Sequence, residues 1–257
     1  MPMRKKLDVI VCRSGKKGQT LAEDLIDKGI CSVHLPTFMI QSKSFVSHLD
    51  RCEITDIIFI SVNAVIHFIS KLDDHEKAIL QTAKIWCVGE GTAKVLKQYG
   101  LLAHYPKKAN SESLLDLIEN DIRQTQRFFL LVKGEGGRDF LETELKRHYA
   151  CFTVACYSRQ YCSKEHLLNI LSEQGYQISD SLFPELILFS SFDGLKAAMP
   201  VFDFYPSWKQ NSTITVTNAR MHEWAKAQGF AKLILIDSYD NTALIALSEK
   251  ILAKGKI

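Results

Sequence analysis

The sequence predicts an α/β protein built on parallel sheets, and three observations support this. Short runs rich in β-branched and large apolar residues recur along the 257 residues, with stretches of helical apolar spacing between them. Several runs are apolar at nearly every position, which is typical of strands buried on both faces of a parallel sheet. Glycines follow several of the helical stretches, where helices commonly end. Strands that alternate with helices throughout therefore favour parallel sheets flanked by helices.

The predicted strands share β-branched and aromatic residues and end at turn-forming residues. DIIFIS and FFLLV are apolar almost throughout, so we expect both inside a sheet. Pro36 cannot donate a ladder hydrogen bond, which keeps the stretch around it out of a central strand. In chain order the predicted strands are LDVIVCR, the extended ICSVHLPTFMIQ, DIIFIS, KIWCVG, HYP, FFLLV, FTVACY, ELILFSS and TITVT, with LILIDS and NTALIALSEKI as the last two elements.

The predicted helices carry an apolar face and often end at glycine. In QTLAEDLIDKG, Leu21, Leu25 and Ile26 share one face and Gly29 ends the helix. Ser111 is predicted to cap SESLLDLIEN. Acidic residues precede basic ones in RDFLETELKRHY, as the helix dipole favours. The remaining predicted helices are AVIHFISKL, TAKVLKQYG, HLLNILSEQG, a segment near DGLKAAM and ARMHEWAKAQG, and SGKKG is predicted to be a turn.

Composition and charge restrict the classes of function. A hydrophobic content of 46% and a charged content of 24% are those of a soluble globular protein. The basic residues are scattered and the net charge is +3, so we expect no nucleic-acid partner, although a small polyanion would suit this surface. The longest apolar candidate, IIFISVNAVIHFI, is interrupted by Asn63 and His67, and MPMRKKLDVIV has only a strand-length apolar run. We therefore expect no membrane partner and no signal peptide.

The cysteines and histidines do not indicate a metal or a nucleophile. The seven cysteines are odd in number, lie mostly in apolar contexts and form no C-x-x-C pair, so we interpret them as reduced core residues of a cytoplasmic protein. No Cys/His cluster has zinc spacing, and HEWAK lacks the second histidine of a zinc-protease helix. LFSSFDG lacks the Gly-x-Ser-x-Gly frame of an esterase. We expect neither a metal nor a cofactor.

The most distinctive stretch runs from Arg127 to Gln160. Its strand FFLLV gives way to KGEGG, in which three of the last four residues are glycine, and a helix follows. Free backbone N–H groups at such a helix start favour an anion. The turn lacks the Gly-Lys-Ser/Thr ending of a P-loop and the full dinucleotide pattern. Alone it is equally well explained as a plain strand-to-helix connection.

An internal repeat divides the sequence into four units. Val11–Thr37 overlays Leu131–Tyr157 without a gap, and each copy has a strand, a glycine-bearing turn headed by a base, a helix and an extended exit. IIFISVNAV resembles LILFSSFDGL, KIWCVGEGTAKVLKQYG resembles TITVTNARMHEWAKAQG, and SESLL resembles NTALI. The order A, B, A′, B′ predicts two similar α/β halves.

The turns after the strands are the predicted ligand-binding residues. Ligands of open parallel sheets bind beyond the carboxyl ends of the strands, and two such edges facing each other would form a cleft between domains. Its lining would be rich in neutral donors and bases, which suits a ligand with several carboxylates or phosphates. The predicted lining residues are Arg13, Ser14, Ser61, Asn63, Gly89, Thr92, Lys133, Gly134, Gly136, Gly137, Arg138, Ser190, Ser191, Asn218 and Arg220.

Single residues of this set also have plainer explanations. Ser61, Ser190 and Ser191 are each, taken alone, better explained as helix N-caps. Tyr157 is by itself better explained as a half-buried strand tyrosine than as a catalytic group. The hypothesis of a site therefore depends on the whole set and not on any one member.

Together these segments resemble one enzyme family. The Gly-x-Gly-Gly-Arg of LLVKGEGGRDFLETELKRHYACFTVACYSR and the Val-Gly-x-x-Thr-Ala of CVGEGTAKVLKQYG are the more specific motifs. They are accompanied by VCRSGKKGQTLAEDL, IIFISVNAVIHFISKL, SESLLDL, LILFSSFDGL and ITVTNARMHEWAKAQGFAKLILIDSYDNTALIAL. In order and spacing, over nearly the whole chain, the set resembles the uroporphyrinogen-III synthase family.

The resemblance implies a cytoplasmic, monomeric lyase of tetrapyrrole (heme) biosynthesis that uses no cofactor. Its substrate would be hydroxymethylbilane, a linear tetrapyrrole with eight carboxylate side chains. The family reaction expels water and closes the ring with the last pyrrole inverted, through an azafulvene cation and a spiro intermediate. A transient contact with the upstream bilane synthase is also expected.

The resemblance also implies roles for particular residues. Tyr157 matches the tyrosine favoured as the acid that helps water leave, and Arg13 and Arg138 match basic positions of the family pattern. Backbone N–H groups of residues 61–63, 89–92, 134–138 and 190–192, which include Phe192, would bind the substrate carboxylates. The turn Asn218-Ala219-Arg220-Met221 departs from members that carry threonines there. Arg220 is therefore expected to bind a carboxylate, and no hydroxyl role is assigned to that turn.

The family pattern changes the expected domain boundaries. Repeat arithmetic alone divides the chain near residue 122, whereas the family joins the first and last units into one domain. The resemblance implies a discontinuous α/β domain of residues 1–34 plus 164–257 and an inserted α/β domain of residues 41–153. Extended crossings at 33–41 and 153–164 would link them, with the active site in the interdomain cleft.

Two functions of other classes fit parts of this pattern. A non-catalytic two-domain protein that closes on a small polycarboxylate or phosphate needs the same turns but not Tyr157. A nucleotide-dependent enzyme is disfavoured by the incomplete phosphate motifs.

Overall fold

The computed structural model describes residues 5–50, 54–121, 126–137, 139–237 and 239–254. Its strands are β1 (Val9–Cys12), β2 (Ser32–His34), β3 (Phe38–Ser42), β4 (Asp56–Phe59), β5 (Lys84–Cys87), β6 (Ala103–His104), β7 (Phe128–Gly134), β8 (Ala150–Tyr161), β9 (Leu186–Phe189), β10 (Thr213–Val216) and β11 (Lys232–Leu235). Its helices are α1 (Lys16–Asp27), α2 (Val62–Ile69), α3 (Asp74–Thr82), α4 (Glu90–Gln98), α5 (Ser111–Glu119), α6 (Phe140–His148), α7 (Lys164–Glu173), α8 (Phe192–Phe204), α9 (Trp208–Asn211), α10 (Ala219–Ala227) and α11 (Asn241–Lys254). The predicted α/β class is confirmed.

The chain divides into two compact units. Unit 1 comprises Met1–Met39 and Gln160–Ile257, and unit 2 comprises Ile40–Arg159. The expected crossing at 33–41 falls on β2 and β3, and that at 153–164 falls on the end of β8 and the start of α7.

Unit 1 contains a five-stranded sheet in the order β11-β10-β9-β1-β2, and every neighbouring pair is parallel. All four residues of β1 are buried. Val9 and Val11 pack in one apolar cluster and Ile10 and Cys12 in another, because successive side chains of a strand point to opposite faces. Both faces of this sheet are therefore covered.

The sheet of unit 2 has the order β3-β8-β7-β4-β5-β6. The pairs from β8 to β6 are parallel. Ile57 and Phe59 of β4 lie in one core cluster and Ile58 in the other, so this sheet is also covered on both faces. The strand that follows Pro36, β3, lies at the sheet edge, as the proline predicts.

Several details differ from the sequence-based prediction, among them the short helix α9, which was not predicted. Helix α3 was not predicted, although Asp73 and Glu76 form a complete capping box at its start. The cap of α5 is Asn110, whose side chain accepts from the Ser113 N–H at 2.7 Å, and Ser111 is already the first helical residue. The segment predicted as the turn SGKKG belongs largely to α1, which begins at Lys16.

A buried ion pair joins the strands of unit 2 at their amino ends. Asp56, the first residue of β4, is fully buried and accepts from Arg127 Nη2 at 2.8 Å and from Trp86 Nε1 of β5 at 2.7 Å. Arg127 lies just before β7 and also donates to the Ile118 carbonyl at 2.9 Å. Burial acts to raise the pKa of Asp56, but hydrogen bonds from Arg127, Trp86 and Thr55 outweigh it and leave the pKa below its ordinary value.

We predict that Asp56→Asn destabilises the protein by roughly 3 kcal/mol, because it removes the nearer counter-ion of the buried Arg127 and leaves only Asp121, whose Oδ2 lies 3.7 Å from Nη2. The depressed pKa of Asp56 contributes stability that is present above the unfolded-state pKa of about 3.9 and is lost as the pH falls through the folded-state value. The stability difference between wild type and variant should therefore shrink below about pH 4. Urea unfolding between pH 3 and 7 measures this.

The matched control is Lys28→Gln, which removes the half-exposed ion pair of Lys28 with Glu249. Exposed pairs contribute little, so its unfolding midpoint should stay close to wild type at every pH. Equal effects of the two substitutions would show that the Asp56 network does not anchor the sheet.

Candidate active site

The turns after the three central strands of unit 2 lie at one edge of its sheet. In the order β7-β4-β5 these strands are neighbours and parallel, so their carboxyl ends meet at the same edge. Ser61 and Asn63 follow β4, Gly89 and Thr92 follow β5, and the glycine turn follows β7. The structure thus brings Ser61, Asn63, Gly89, Thr92 and the described part of the glycine turn to a single edge.

A β-bulge sets the position of Tyr157. Pairing between β7 and β8 runs in register as far as Lys133 opposite Ala155 and then shifts, so that Gly134 lies opposite Tyr157 and Cys156 is the extra residue. A bulge redirects the side chains that follow it. Cys156 and Tyr157 accordingly pack in the same core cluster, although adjacent residues of a regular strand would face opposite ways.

The ring of Tyr157 packs directly on the backbone of Gly134. A Cβ built on Gly134 would lie 2.4 Å from Tyr157 Cζ and 2.8 Å from its hydroxyl oxygen. Any side chain at position 134 would overlap the ring, so the first glycine of KGEGG is required for the packing of Tyr157. Tyr157 is only 3% exposed, so it is more buried than the half-buried strand tyrosine that the sequence suggests.

The hydroxyl of Tyr157 is hydrogen-bonded to Ser61, with 3.0 Å between the two oxygens. Ser61 is the N-cap of α2, where its Oγ accepts from the Ala64 N–H at 3.1 Å. The capping explanation of Ser61 is therefore confirmed. Because the cap fixes the Ser61 side chain, it also fixes the hydrogen-bond partner of the tyrosine.

His67 lies beside the tyrosine and was not among the predicted site residues. It is two turns along α2 from the Ser61 cap, and its ring centroid is 5.8 Å from that of Tyr157. Burial, and then the positive charge of Lys71, lower the pKa of His67. The ring is therefore mainly neutral near pH 7. His67 lies six residues after Ser61, which is not a same-face helical spacing, so the sequence held no signal for this contact.

The base at the head of the glycine turn is neutralised inside the protein. Lys133 is almost completely buried, and its Nζ lies 2.8 Å from Asp139 Oδ1 and 3.0 Å from Glu142 Oε2. Burial acts to raise the pKa of Glu142, but hydrogen bonds from Lys146 and Lys133 outweigh it and lower the pKa to about 2. This differs from the expectation that Lys133 faces a ligand.

The rest of the turn presents backbone to solvent. The Glu135 N–H is occupied, because it donates to the Tyr157 carbonyl at 2.7 Å. Gly136 and Gly137 are exposed and have φ angles of 72° and 90°, a region in which other residues are strained. Arg138, the predicted carboxylate-binding residue, lies outside the described residues.

The other two turns of unit 2 provide helix starts. Gly89 is the N-cap of α4, and its carbonyl accepts from the Thr92 N–H at 3.0 Å. Thr92 itself is buried, whereas Asn63 at the start of α2 is half-buried. Both residues thus lie in first helical turns, where backbone donors are oriented toward an anion.

In unit 1 the guanidinium of Arg13 is also held by protein atoms. Arg13 Nη1 donates to the Tyr239 carbonyl at 2.7 Å and to Asn241 Oδ1 at 3.2 Å. Burial lowers the pKa of Arg13, and the nearby carboxylate of Asp240 acts in the opposite direction. The adjacent Ser14 is half-buried. Arg13 therefore joins the turn after β1 to the start of α11.

The turns after β9 and β10 form a small aromatic and cationic cluster. Ser191 is the N-cap of α8 and accepts from the Gly194 N–H at 3.1 Å, which confirms its capping explanation, whereas Ser190 is half-buried and precedes the cap. The Phe192 ring lies beneath two cations, with Lys196 Nζ at 4.2 Å and Arg220 Cζ at 5.3 Å. Arg220 is exposed and remains free to turn toward an anion.

Comparison with known proteins identifies the family to which this arrangement belongs. The family model of uroporphyrinogen-III synthase HemD matches residues 19–246, which is most of the chain. The chain belongs to the uroporphyrinogen-III synthase family. The resemblance seen in the motifs is therefore confirmed.

Individual relatives agree with the family match. The chain is 30% identical to a uroporphyrinogen-III synthase from Proteus mirabilis in an alignment of 175 residues that covers 63% of this chain and 86% of that protein. A mutant uroporphyrinogen III synthase from Thermus thermophilus has a similar fold, with a TM-score of 0.65 and 15% identity over 96% of this chain and 99% of that one. The synthetase from Helicobacter pylori gives a TM-score of 0.61 at 16% identity over 94% and 99% of the two chains.

Two properties of the described residues complete the picture of this uroporphyrinogen-III synthase family member. No helix within those ranges is both long enough and apolar enough to span a membrane. Nor do three His, Cys, Asp or Glu side chains come together there as a metal site would require.

We predict that Gly134→Ala displaces the Tyr157 ring and destabilises the protein by about 1–3 kcal/mol, as overpacking does. A double-mutant cycle with Tyr157→Ala tests the cause. In the Tyr157→Ala background the cost of Gly134→Ala should fall to a small fraction, because the obstructing ring is gone. A cost that is the same in both backgrounds would mean that the glycine is needed for another reason.

Proposed function

We propose that this protein cyclises hydroxymethylbilane to uroporphyrinogen III. The observation that carries the proposal is the Tyr157 hydroxyl, bonded to a helix-capping Ser61 at the carboxyl edge of a parallel sheet in a chain of the uroporphyrinogen-III synthase family. A non-catalytic binding protein would need the anion-binding turns but would have no use for a phenol held in this way.

Tyr157 is proposed to act as the acid for loss of water. The Ser61 hydroxyl can donate to the Tyr157 oxygen while its own oxygen accepts from the Ala64 N–H, which leaves the phenol proton free for the substrate. As the C–O bond breaks, electrons from the pyrrole expel the hydroxyl, and the Tyr157 proton leaves with it as water. The substituted carbon of the last pyrrole first closes on the cation to give the spiro intermediate, and the bond between that carbon and its original bridge then breaks. Final closure through the unsubstituted carbon of the last pyrrole releases the proton of that carbon, which restores the phenol.

Inversion of the last pyrrole is a matter of positioning. The activated bilane closes head to tail when nothing constrains it, so the enzyme must present the substituted carbon of the last pyrrole to the cation first. Orientation of this kind can be worth roughly 7 kcal/mol or more. We assign the positioning to the exposed backbone of Gly136 and Gly137, the first turns of α2, α4 and α8, and the side chain of Arg220.

The setting of the reaction is also part of the proposal. We infer a monomer that works in the cytoplasm and makes a transient contact with the upstream bilane synthase. Burial of Cys12, Cys87 and Cys156 supports their interpretation as inert core thiols, and burial raises the pKa of Cys87 and Cys156 to about 11. Sedimentation of the purified protein with and without the bilane synthase tests both the monomer and the contact.

We predict that the wild-type protein converts freshly prepared hydroxymethylbilane mainly to the inverted isomer. The products are oxidised to porphyrins and the isomers are resolved by liquid chromatography. Bilane incubated without protein supplies the control, in which the symmetric isomer should dominate. If the protein binds bilane but leaves the isomer ratio at that of the control, it is a binding protein and not a synthase.

We predict that Tyr157→Phe lowers turnover by about a hundred-fold, the low end of the range for general acid catalysis. The effect is small within that range because electron donation from the pyrrole contributes most of the driving force for loss of the hydroxyl. The product should remain the inverted isomer, since the choice of isomer depends on the bound pose. Unchanged turnover would give Tyr157 a structural role only. A shift to the symmetric isomer would instead assign the tyrosine to positioning of the last pyrrole.

A further inference from the structure

Unit 1 has a cavity at the start of α1 that the roles assigned above do not explain. It measures about 750 Å³ and is lined by Arg13, Lys16, Lys17, Thr20, Tyr239, Asp240 and Asn241. Three of these residues are cationic and one is acidic. The lining therefore carries a net positive charge, which is favourable for an anionic ligand.

Two of the four charged groups are engaged by the protein. Arg13 donates to the Tyr239 carbonyl and to Asn241. Asp240 accepts from the Ala243 N–H at 2.9 Å through Oδ1, and so caps the first turn of α11. These contacts hold both side chains against the protein, so the charged groups of the cavity that can move toward a ligand are the other two.

The other two charges are Lys16 and Lys17, the first residues of α1. Both are exposed, and neither takes part in an ion pair between described residues. The first turn of α1 contains no acidic side chain, and Gly15 caps it without a side-chain hydrogen bond. Two adjacent lysines at a helix start raise the local positive potential and do not stabilise the helix, so their placement calls for an anionic partner.

The backbone fixes where these lysines lie. A Cβ built on Gly18 would fall 1.9 Å from the Arg13 carbonyl oxygen, so α1 starts in close contact with the turn after β1 and only glycine permits it. That contact places Lys16 and Lys17 at the carboxyl edge of the five-stranded sheet. In the gapless repeat they occupy the positions of Gly136 and Gly137 in the glycine turn of unit 2.

We propose that Lys16 and Lys17 bind carboxylates of the bilane substrate in this cavity, with Arg13 and Asn241 as its rigid wall. The inference rests on the proposed function and adds two residues that no motif identified. In the repeat, both turn-heading bases, Arg13 and Lys133, are held internally. In this turn of unit 1 the charge available to a carboxylate therefore lies about one helical turn later, on Lys16 and Lys17, in addition to Arg220 after β10.

The test compares Lys16→Gln/Lys17→Gln with wild type in the bilane assay and in a direct titration with uroporphyrin III, the oxidised product with eight carboxylates. The variant should raise KM and the porphyrin Kd about ten-fold or more, since a hydrogen bond to a charged group contributes at that scale, and leave kcat within two-fold. Added salt should weaken binding by the wild type more than by the variant. Lys16→Arg/Lys17→Arg should restore most of the affinity.

The matched control is Lys226→Gln/Lys250→Gln, which removes the same charge from exposed positions in the later turns of α10 and α11. Its KM and Kd should stay within two-fold of wild type. If the two double variants weaken binding equally, the effect is one of net charge and the proposal is wrong. The proposal is also overturned if the Lys16→Gln/Lys17→Gln variant has the same KM as the wild type. If the wild-type protein makes no uroporphyrinogen III, the proposed function itself is wrong and this inference fails with it.

Discussion

The ion pair between Asp56 and Arg127 is the interaction on which the sheet of unit 2 depends. It joins β4 to the segment that enters β7. The hydrogen bond from Trp86 to Asp56 connects β5 to the same network. These are the three strands whose carboxyl ends lead to Ser61, Gly89 and the glycine turn. At the carboxyl edge these strands lead into helix starts, and the buried Lys133 is neutralised there by Asp139 and Glu142. Backbone N–H groups at helix starts of this kind favour an anion.

Much of the fold could be predicted because its signals are local. Buried strands are apolar at successive positions and helices repeat their apolar residues, so the alternation of the two was visible in the sequence. Helix α3 was not predicted, although its capping pair, Asp73 and Glu76, is also a local signal. Its face is only weakly apolar, so the helical periodicity of the segment is faint. The choice of Asn110 over Ser111 as the cap of α5 could not be predicted, since both residue types cap well and only backbone geometry separates them.

The candidate site was less predictable, because it depends on contacts across the chain. Repeat alignment and family resemblance both drew attention to Tyr157 and the glycine turn. The bulge at Cys156 is invisible to a gapless alignment, yet it decides that the Tyr157 ring lies on Gly134. Lys133 was expected to face a ligand, but Asp139 and Glu142 neutralise it. A base next to a glycine turn has the same sequence signature whether it faces a ligand or an acidic helix start.

The repeat shows why a tyrosine fits at position 157 of unit 2 and a smaller residue at the matching position of unit 1. Overlaying the halves places Thr37 where unit 2 has Tyr157, and Ser191 where it has Ser61. Thr37 is 1% exposed, and its Oγ1 would lie 3.6 Å from a Cβ on Gly194, in the first turn that Ser191 caps. Unit 1 thus has the same arrangement, a capping serine beside extended backbone, but the side chain at the position of the tyrosine is the short, buried hydroxyl of Thr37. A ring fits in unit 2 because a bulge and a glycine make room for it. If the proposed function is correct, this arrangement supplies the acid in unit 2, whereas unit 1 contributes cations that bind the substrate.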